Sequence, residues 1–524
     1  MKSFGDGLQV VLVVVYKQSL HGSSAKWKGV AVGRFPRDAP ILKGKYEPTP
    51  FSTLASLLFP HMLPSLMQHL DKGGPVHSEP IMRKKAPVKG QATLFAALEA
   101  TEVSDAATNG EMKDTTSTFT ANLSLPVHRW FRYSAGFSAV WVQEVIEREK
   151  EKGRQRVFDP FAGSGTVLLE SELCQVEGIG VEAHPFVARI AQTKLHWRES
   201  PDAFTTHALS ILEEAKKEKI ERQEYPALMG KCFPPETLGR LEGLRRVVHR
   251  RADGSPLSEL SWLVLGAILR ECSPVGTAQW QYILPNKTKV RAMDPFKAFE
   301  AKVTMFSTDM AERQKRPAGP RAKLLVDDAR ECKSVPTGWA DLVVTSPPYA
   351  NNYDYADATR LEMTFFREIE GWGCLQEAVR KHLVRSCTQH VAPLTKQTDS
   401  LIQAAAVAPI SRELSETCRK LAIERETHGG KKNYHTMIAA YFKDMAEVWL
   451  ALRRVAAKGA LVCFVVGDSA PYGVYVPVDR WLGELAVAAG FKSYEFEKTR
   501  DRNLKWKNRK HRVPLHEGRL WVQG

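Results

Sequence analysis

The chain of 524 residues is poor in the features that would place it in a specialised class. Its eight cysteines (Cys174, Cys232, Cys272, Cys332, Cys374, Cys387, Cys418 and Cys463) form no CxxC pair and are too sparse for a disulfide scaffold. Reduced thiols and no bound zinc are therefore expected. Long apolar runs are absent as well. The longest near the start, Leu8 to Tyr16 interrupted by Gln9, is too short to span a bilayer. One lysine and one aspartate precede it and no small-residue cleavage site follows, so neither a signal peptide nor a membrane anchor is expected. Its valine content predicts a buried strand. No internal repeat is evident, and there is no GxGxxG fingerprint.

What remains is the composition of a soluble globular protein, 43% apolar and 25% charged. The length predicts two or three domains. A formal charge of +15 and a pI near 9.3 favour a polyanionic partner, although charge alone does not distinguish nucleic acid from a merely basic surface. A cytoplasmic protein is expected from the reduced thiols.

Residues 1–75 alternate short apolar runs with Gly and Pro and carry no recognisable role. Residues 76–122 read as a disordered linker, with a short helix around Ala92–Ala100. From Leu123 the chain becomes dense in aromatic and apolar residues. A strand (RVFD, 156–159), a Gly-rich turn, a helix and a second strand (EGIGVEA, 177–183) follow. Further strands are predicted at KLLVDD from Lys323, ADLVVTS from Ala340 and ALVCFVVGD, 460–468. Helical patterns fill 199–320 and 356–432, and the chain closes with KSYEFEK, a basic loop and GRLWVQ. Strands alternating with helices predict an α/β fold with a doubly wound, mostly parallel sheet and helical insertions.

Two segments carry the chemistry. In VFDPFAGSGTVLLESEL, Gly163 and Gly165 lie between a strand and a helix, where backbone can approach a ligand and offer amides. Glu182 ends the next strand, at the interval of about 20 residues where doubly wound folds place an acid for ribose hydroxyls. A tight turn with no ligand is the bland alternative. Asp328 closes the third strand as a ligand acceptor or as a cap for the following turn, with Asp327 as the other candidate. In DLVVTSPPYANNYDY, Pro347 and Pro348 fix the backbone after a strand and leave carbonyls as acceptors. Ser346 adds a hydroxyl and Tyr349 an aromatic face. Such a group could hold an exocyclic amine by its hydrogens while an extruded base stacks on the ring.

Together, DPFAGSGT and SPPY resemble the first and fourth motifs of the S-adenosylmethionine-dependent DNA amino-methyltransferases, over roughly 123–198 and 321–524. The resemblance implies a Rossmann-like class I methyltransferase domain with S-adenosyl-L-methionine as cofactor. Asp159, Phe161, Gly163, Gly165, Thr166, Glu182 and Asp328 would then bind it, Asp328 at the adenine amino group, with Ser346, Pro347, Pro348 and Tyr349 holding the target amine. The segment SLPVHRWFRYSAGFSAVWVQEV resembles the methionine-side motif, which would bring Tyr133 and Phe137 to the cofactor or else into the core. SPPY in this family favours cytosine N4. Adenine N6, an RNA base, or a catalytically inactive DNA-binding subunit are the rivals. No Pro-Cys dipeptide occurs, which disfavours C5 methylation. A prokaryotic or phage restriction-modification setting is the expected context.

The gap between Asp159 and Ser346 exceeds what three strand–helix units of about 30 residues need, so it contains an insertion, mostly 199–320. This stretch and 356–432 are candidates for reading the DNA target. Between Lys498 and Arg512 there are eight Lys or Arg against one Asp. Arg500, Arg502, Lys505, Trp506, Lys507 and Arg509 are therefore expected to grip phosphates or stack on bases, the alternative being a solvated loop.

Overall fold

The computed structural model describes residues 119–133, 136–219, 224–276, 284–288, 291–351, 353–502 and 513–524, with two strands nearer the N-terminus. The remainder of 1–118, including the expected short helix and the expected linker as far as 118, lies outside the described residues, as do Lys505, Trp506, Lys507 and Arg509. The last residues of that linker, expected to be disordered, instead form the 3-10 helix Phe119–Leu123, anchored by Asn122 Nδ2 donating to Phe137 O. The chain divides into two units, 1–109 and 110–524. In the first, β1 (Val10–Val15) pairs antiparallel with β2 (Val30–Phe35). The valine-rich run is thus a strand, as its β-branched composition favours.

The second unit is built on a seven-stranded sheet. Its members are β3 (Arg156–Asp159), β4 (Glu177–Glu182), β7 (Lys323–Val326), β8 (Ala340–Thr345), β9 (Ala456–Gly467), β10 (Ser493–Arg502) and β11 (Leu515–Gln523). A separate two-stranded pair joins β5 (Val275–Gly276) to β6 (Leu284–Thr288). The sheet order is β10-β11-β9-β8-β3-β4-β7. Pairing is parallel from β7 to β9, and only β11 runs against its neighbours. The expected mostly parallel, doubly wound α/β sheet of a class I methyltransferase is what the chain forms.

Alternation along the central strands sorts the core into two layers. Val157, Leu342, Val344, Cys463 and Val465 meet Val142, Val145 and Ile146 of the helix Ala139–Glu151. Phe158, Val343, Val462, Phe464 and Val466 meet the helices Tyr434–Val455 and Val478–Ala488 on the other face. Ser138 caps the first of these helices, its hydroxyl accepting from Trp141 N.

The long gap is filled as expected by helices: Pro201–Ala215, Ala227–Cys232, Pro235–Arg250, Pro256–Cys272 and Pro295–Gln314. Four of the five begin with Pro in the first turn, where its missing N–H costs nothing. The block is keyed to the sheet domain through buried Asp309, which accepts from Val127 N, Trp130 Nε1 at 3.1 Å and Arg129 Nε at 3.0 Å. Trp130 stacks on Phe306 with ring centres 4.2 Å apart. The basic stretch LGRLEGLRRVVHRR lies on Pro235–Arg250, and several of its arginines are already paired. Arg245 and Arg246 contact buried Glu242, and Arg250 contacts Glu214 and Glu218. No helix among the described residues is long and apolar enough to cross a membrane.

Candidate active site

The chain leaves β3, turns, and lays down β4 and β7 on one side before returning to place β8 on the other. The direction of winding therefore reverses between β3 and β8. In open α/β sheets, ligands bind beyond the carboxyl ends of the strands at such a reversal. A pocket lies there, lined by Tyr133, Pro160, Phe161, Gly163, Glu182, Ala183, His184, Asp328, Ala329, Ser346, Pro348, Tyr355 and His382 to Val384. The Gly-rich turn and the SPPY segment, far apart in sequence, share its wall.

The two strand ends are bonded to one another. Thr345 Oγ1 donates to Asp159 Oδ1 at 2.5 Å, and the same oxygen accepts from Phe161 N at 3.0 Å. Asp159 is 1% exposed and does not line the pocket. The structure gives it a structural bond, in contrast to the cofactor contact expected from the sequence. Burial, resisted by these two hydrogen bonds, pushes its carboxyl up to about 7.

That shift makes a measurable prediction. Between about pH 4 and pH 7 the folded state keeps a proton that the unfolded state has released, so stability falls as pH rises through this window. Asp159→Asn can still accept both hydrogen bonds, but it does not titrate. Its melting temperature, followed by circular dichroism, should decline less than that of the wild type over that window.

Glu182 closes the turn. Its Oε2 accepts from Gly163 N and its Oε1 from His184 N, each at 2.8 Å. The two oxygens together offer about four acceptor positions, so the carboxylate is not exhausted by its backbone donors. Burial raises its carboxyl above the ordinary range, and the backbone amides of His184, Gly163 and Ala183 oppose the shift. Gly163 has φ +51°, and a Cβ there would come within 3.4 Å of the Tyr133 ring at the pocket wall. Gly165 has φ +86° and serves a different end. A Cβ on it would stand 3.3 Å from Ala191 Cβ, so it allows the turn to nest on the helix Pro185–Lys194. Thr166 opens the next helix and is buried; neither it nor Gly165 lines the pocket.

Asp327 and Asp328 divide their roles. Asp327 Oδ2 accepts from Ser334 N and Ser334 Oγ, closing the turn after β7. Asp328 lines the pocket and is held by Arg330, whose Nε lies 2.9 Å from Oδ1 and Nη2 2.5 Å from Oδ2. Of the two aromatics expected near the methionine side, Tyr133 lines the pocket, whereas Phe137 is 5% exposed and packs on Trp141 in the core.

On the other wall, Ser346 Oγ donates to Val465 O on β9 at 3.2 Å. With its hydrogen committed there, the hydroxyl faces other partners as an acceptor. Tyr349 N donates to Tyr355 Oη, and Ser469 Oγ donates to Ala350 O at 2.6 Å, so the loop after the diproline is fixed along its length. Pro347 and Tyr349 do not line the pocket; Pro348 does.

The expected phosphate grip of Arg500 and Arg502 is modified by their partners. Both turn toward buried Glu517, Arg500 through Nη2 at 2.9 Å. Arg502 Nη1 donates to Asp468 O, and its guanidinium lies 5.3 Å over the Tyr349 ring. Arg502 is thus built into the back of the SPPY segment.

Several wall residues have no obvious sign in the sequence. His184 could have been suspected from its place beside Glu182, and Tyr355 from the YDY that follows SPPY. His382, Leu383 and Val384 come from the second insertion, and nothing in their local pattern marks them. His184 Nε2 lies 2.9 Å from Thr359 Oγ1, while its Nδ1 is buried without a hydrogen-bond partner. Burial holds its imidazole neutral, its pKa lowered to about 3.

These residues fit S-adenosyl-L-methionine. Glu182 retains acceptors for ribose hydroxyls, Asp328 reaches the same wall from β7, and the side-chain-free surface of Gly163 leaves room beside Tyr133. When bound, this cofactor supplies an electrophilic methyl group on a sulfonium. The chain contributes acceptors, a glycine surface, and a second wall carrying Ser346 and Pro348.

Comparison with characterised proteins agrees with this geometry. The chain is 26% identical over 422 residues to the Type II methyltransferase M.BsoBI of Geobacillus stearothermophilus, covering 71% of this chain and 80% of that protein. It is 25% identical over 412 residues to the Type II methyltransferase M.AvaI of Nostoc sp. (strain PCC 7120) and of Anabaena variabilis, again covering 71% of this chain and 80% of the relatives. No family model and no solved structure matches the chain. With DPFAGSGT at the end of β3, SPPY at the end of the adjacent β8, and relatives of this kind across most of its length, the chain is similar to Type II DNA methyltransferases and carries the motifs of the S-adenosyl-L-methionine-dependent DNA amino-methyltransferases.

Proposed function

We propose that the protein transfers a methyl group to the exocyclic N4 of cytosine in DNA, acting on a base swung out of the duplex. The observation that carries this reading is the shared pocket wall of Gly163, Glu182, Ser346 and Pro348. A ring-conjugated amine is a poor nucleophile because its lone pair is delocalised. Ser346, obliged to accept by its bond to Val465 O, takes one amine hydrogen, and a diproline carbonyl takes the other. The amine is thereby biased toward tetrahedral geometry, its lone pair directed across the pocket at the Glu182 wall. Transfer is then an in-line displacement that depends mainly on positioning, with no covalent enzyme intermediate. The base stacks on Tyr349, which Arg502 backs from behind. Serine at the first position of the motif resembles the N4-cytosine enzymes, and that resemblance is what favours cytosine over adenine.

DNA contacts are assigned to the basic segment 498–512, with Arg500 and Arg502 anchoring its start. A restriction-modification setting follows from the company of Type II relatives.

The test is mass spectrometry of nucleosides from DNA of cells expressing the chain, beside a Tyr349→Ala control, with total RNA digested in parallel. N4-methylcytosine in DNA that falls in the control is the expected result. N6-methyladenine in DNA, or the mark in RNA alone, would replace the assignment. No modified base in either would overturn methyl transfer.

A further inference from the structure

Behind the pocket, the loop after SPPY and the second insertion meet in a cluster that the methyl-transfer chemistry does not use. Asp354, Cys387 and His390 are all buried, and a carboxylate oxygen, the sulfur and a ring nitrogen lie within 4.8 Å of one another. Cys387 and His390 occupy the ends of one tight turn, closed by His390 N donating to Cys387 O at 3.1 Å. A Cys-x-x-His turn of this kind presents two ligands to one point, at a spacing common in metal sites.

Two further observations point to a cation-binding role. The His390 side chain is 1% exposed, yet neither ring nitrogen has a hydrogen-bond partner. Buried polar groups are almost always satisfied, and an imidazole with both nitrogens unsatisfied calls for an explanation. Second, His390 Nε2 stands 3.5 Å from Asp354 Oδ1. That is long for a hydrogen bond, but ligand atoms at about 2.0–2.1 Å from a tetrahedral zinc ion lie about 3.4 Å apart. Arg380 does not obstruct this arrangement. It binds Asp354 through Oδ2 only, with Nη2 at 2.7 Å and Nε at 3.1 Å, and so leaves Oδ1 directed at the histidine. It orients the carboxylate as partners of metal-bound carboxylates commonly do.

We propose that Asp354 Oδ1, Cys387 Sγ and His390 Nε2 form a binding site for a divalent transition metal, zinc being the best match to this mixed set of donors. On binding, the Cys387 thiol loses its proton to solvent and the sulfur–metal bond replaces the S–H bond. Water completes the coordination. The sequence expectation of no bound metal is thereby revised: it rested on the absence of CxxC pairs, and the third ligand here comes from a different loop. The ion would staple Asp354, next to Tyr355, to a turn that begins just after Val384, and both neighbours line the cofactor pocket. The proposal does not depend on which base is methylated.

The test uses the full chain purified without a polyhistidine tag. Elemental analysis should find one zinc per chain, lost in Cys387→Ser and in His390→Ala but retained in Thr388→Ala, a change in the same turn outside the donor set. Chelator-treated wild type titrated with cobalt(II) should develop a thiolate-to-metal charge-transfer band, and its zinc titration should release a proton. Folded wild type that takes up neither metal overturns the site, and so does zinc that persists in Cys387→Ser. Should the variants fail to fold, the cobalt spectrum and proton release of the wild type still decide the matter.

Discussion

Ser346→Ala should leave cofactor affinity and folding intact while lowering turnover by roughly 10- to 150-fold. The range follows from about 1.5–3 kcal/mol for a hydrogen bond to a group that gains charge, as the amine does when it takes up the methyl. Ser346 gives its hydrogen to Val465 O at the edge of the pocket, and the alanine is apolar and smaller, so stability changes little. The loss should fall on kcat, because the acceptor matters most after the amine has begun to pyramidalise. Single-turnover kinetics on an oligonucleotide duplex, with cofactor binding measured by calorimetry, separate the two quantities. A variant with unchanged turnover would remove Ser346 from the chemistry and leave the diproline carbonyls as the acceptors. Weakened cofactor binding with normal turnover would move the serine to the cofactor side of the pocket.

Glu182→Ala is expected to act in the opposite way, raising the cofactor dissociation constant by about 100-fold or more and sparing whatever turnover remains at saturation. Two hydrogen bonds from ribose hydroxyls to a carboxylate contribute about 1.5–3 kcal/mol each. The substitution also frees Gly163 N and His184 N, which Glu182 now accepts from, so the turn loses its latch. The carboxyl is raised above its usual range by burial. Only the ionised form offers all its lone pairs, so cofactor affinity should fall as pH drops, starting above the range where an ordinary glutamate titrates. Glu182→Gln should bind more weakly than wild type at neutral pH and lose that acid-side dependence. A flat pH profile in the wild type would show that the ribose hydroxyls find their acceptors elsewhere.

Both predictions concern residues that the sequence could locate, and the reason is physical. A glycine turn after a short strand and an acid at the end of the next strand are local patterns, and the doubly wound topology carries them to one place. The same holds for SPPY, because the apolar Leu342–Val344 stretch just before it marks β8 as an interior strand. Residues whose position depends on tertiary neighbours were less legible. Asp159 and Glu182 look equally eligible as carboxylates at strand ends. Only the packing of β3 against β8 turns Asp159 toward Thr345. Gly165 sits in the same motif as Gly163, yet the nearby Ala191 makes it a packing glycine. Arg502 belongs by composition to a basic tail, and buried Glu517 draws it inward. The wall from His382 to Val384 belongs to an insertion whose path no local periodicity encodes.

The bond between Asp159 and Thr345 has a consequence for how such an enzyme can be assembled. It joins the donor half and the acceptor half sideways, from one strand to its neighbour, so neither half depends on the length of chain that connects them. A large helical block can therefore be spliced between the two without disturbing the reaction centre. By the same reasoning a polypeptide that laid down these strands in the reverse order would close the same cleft.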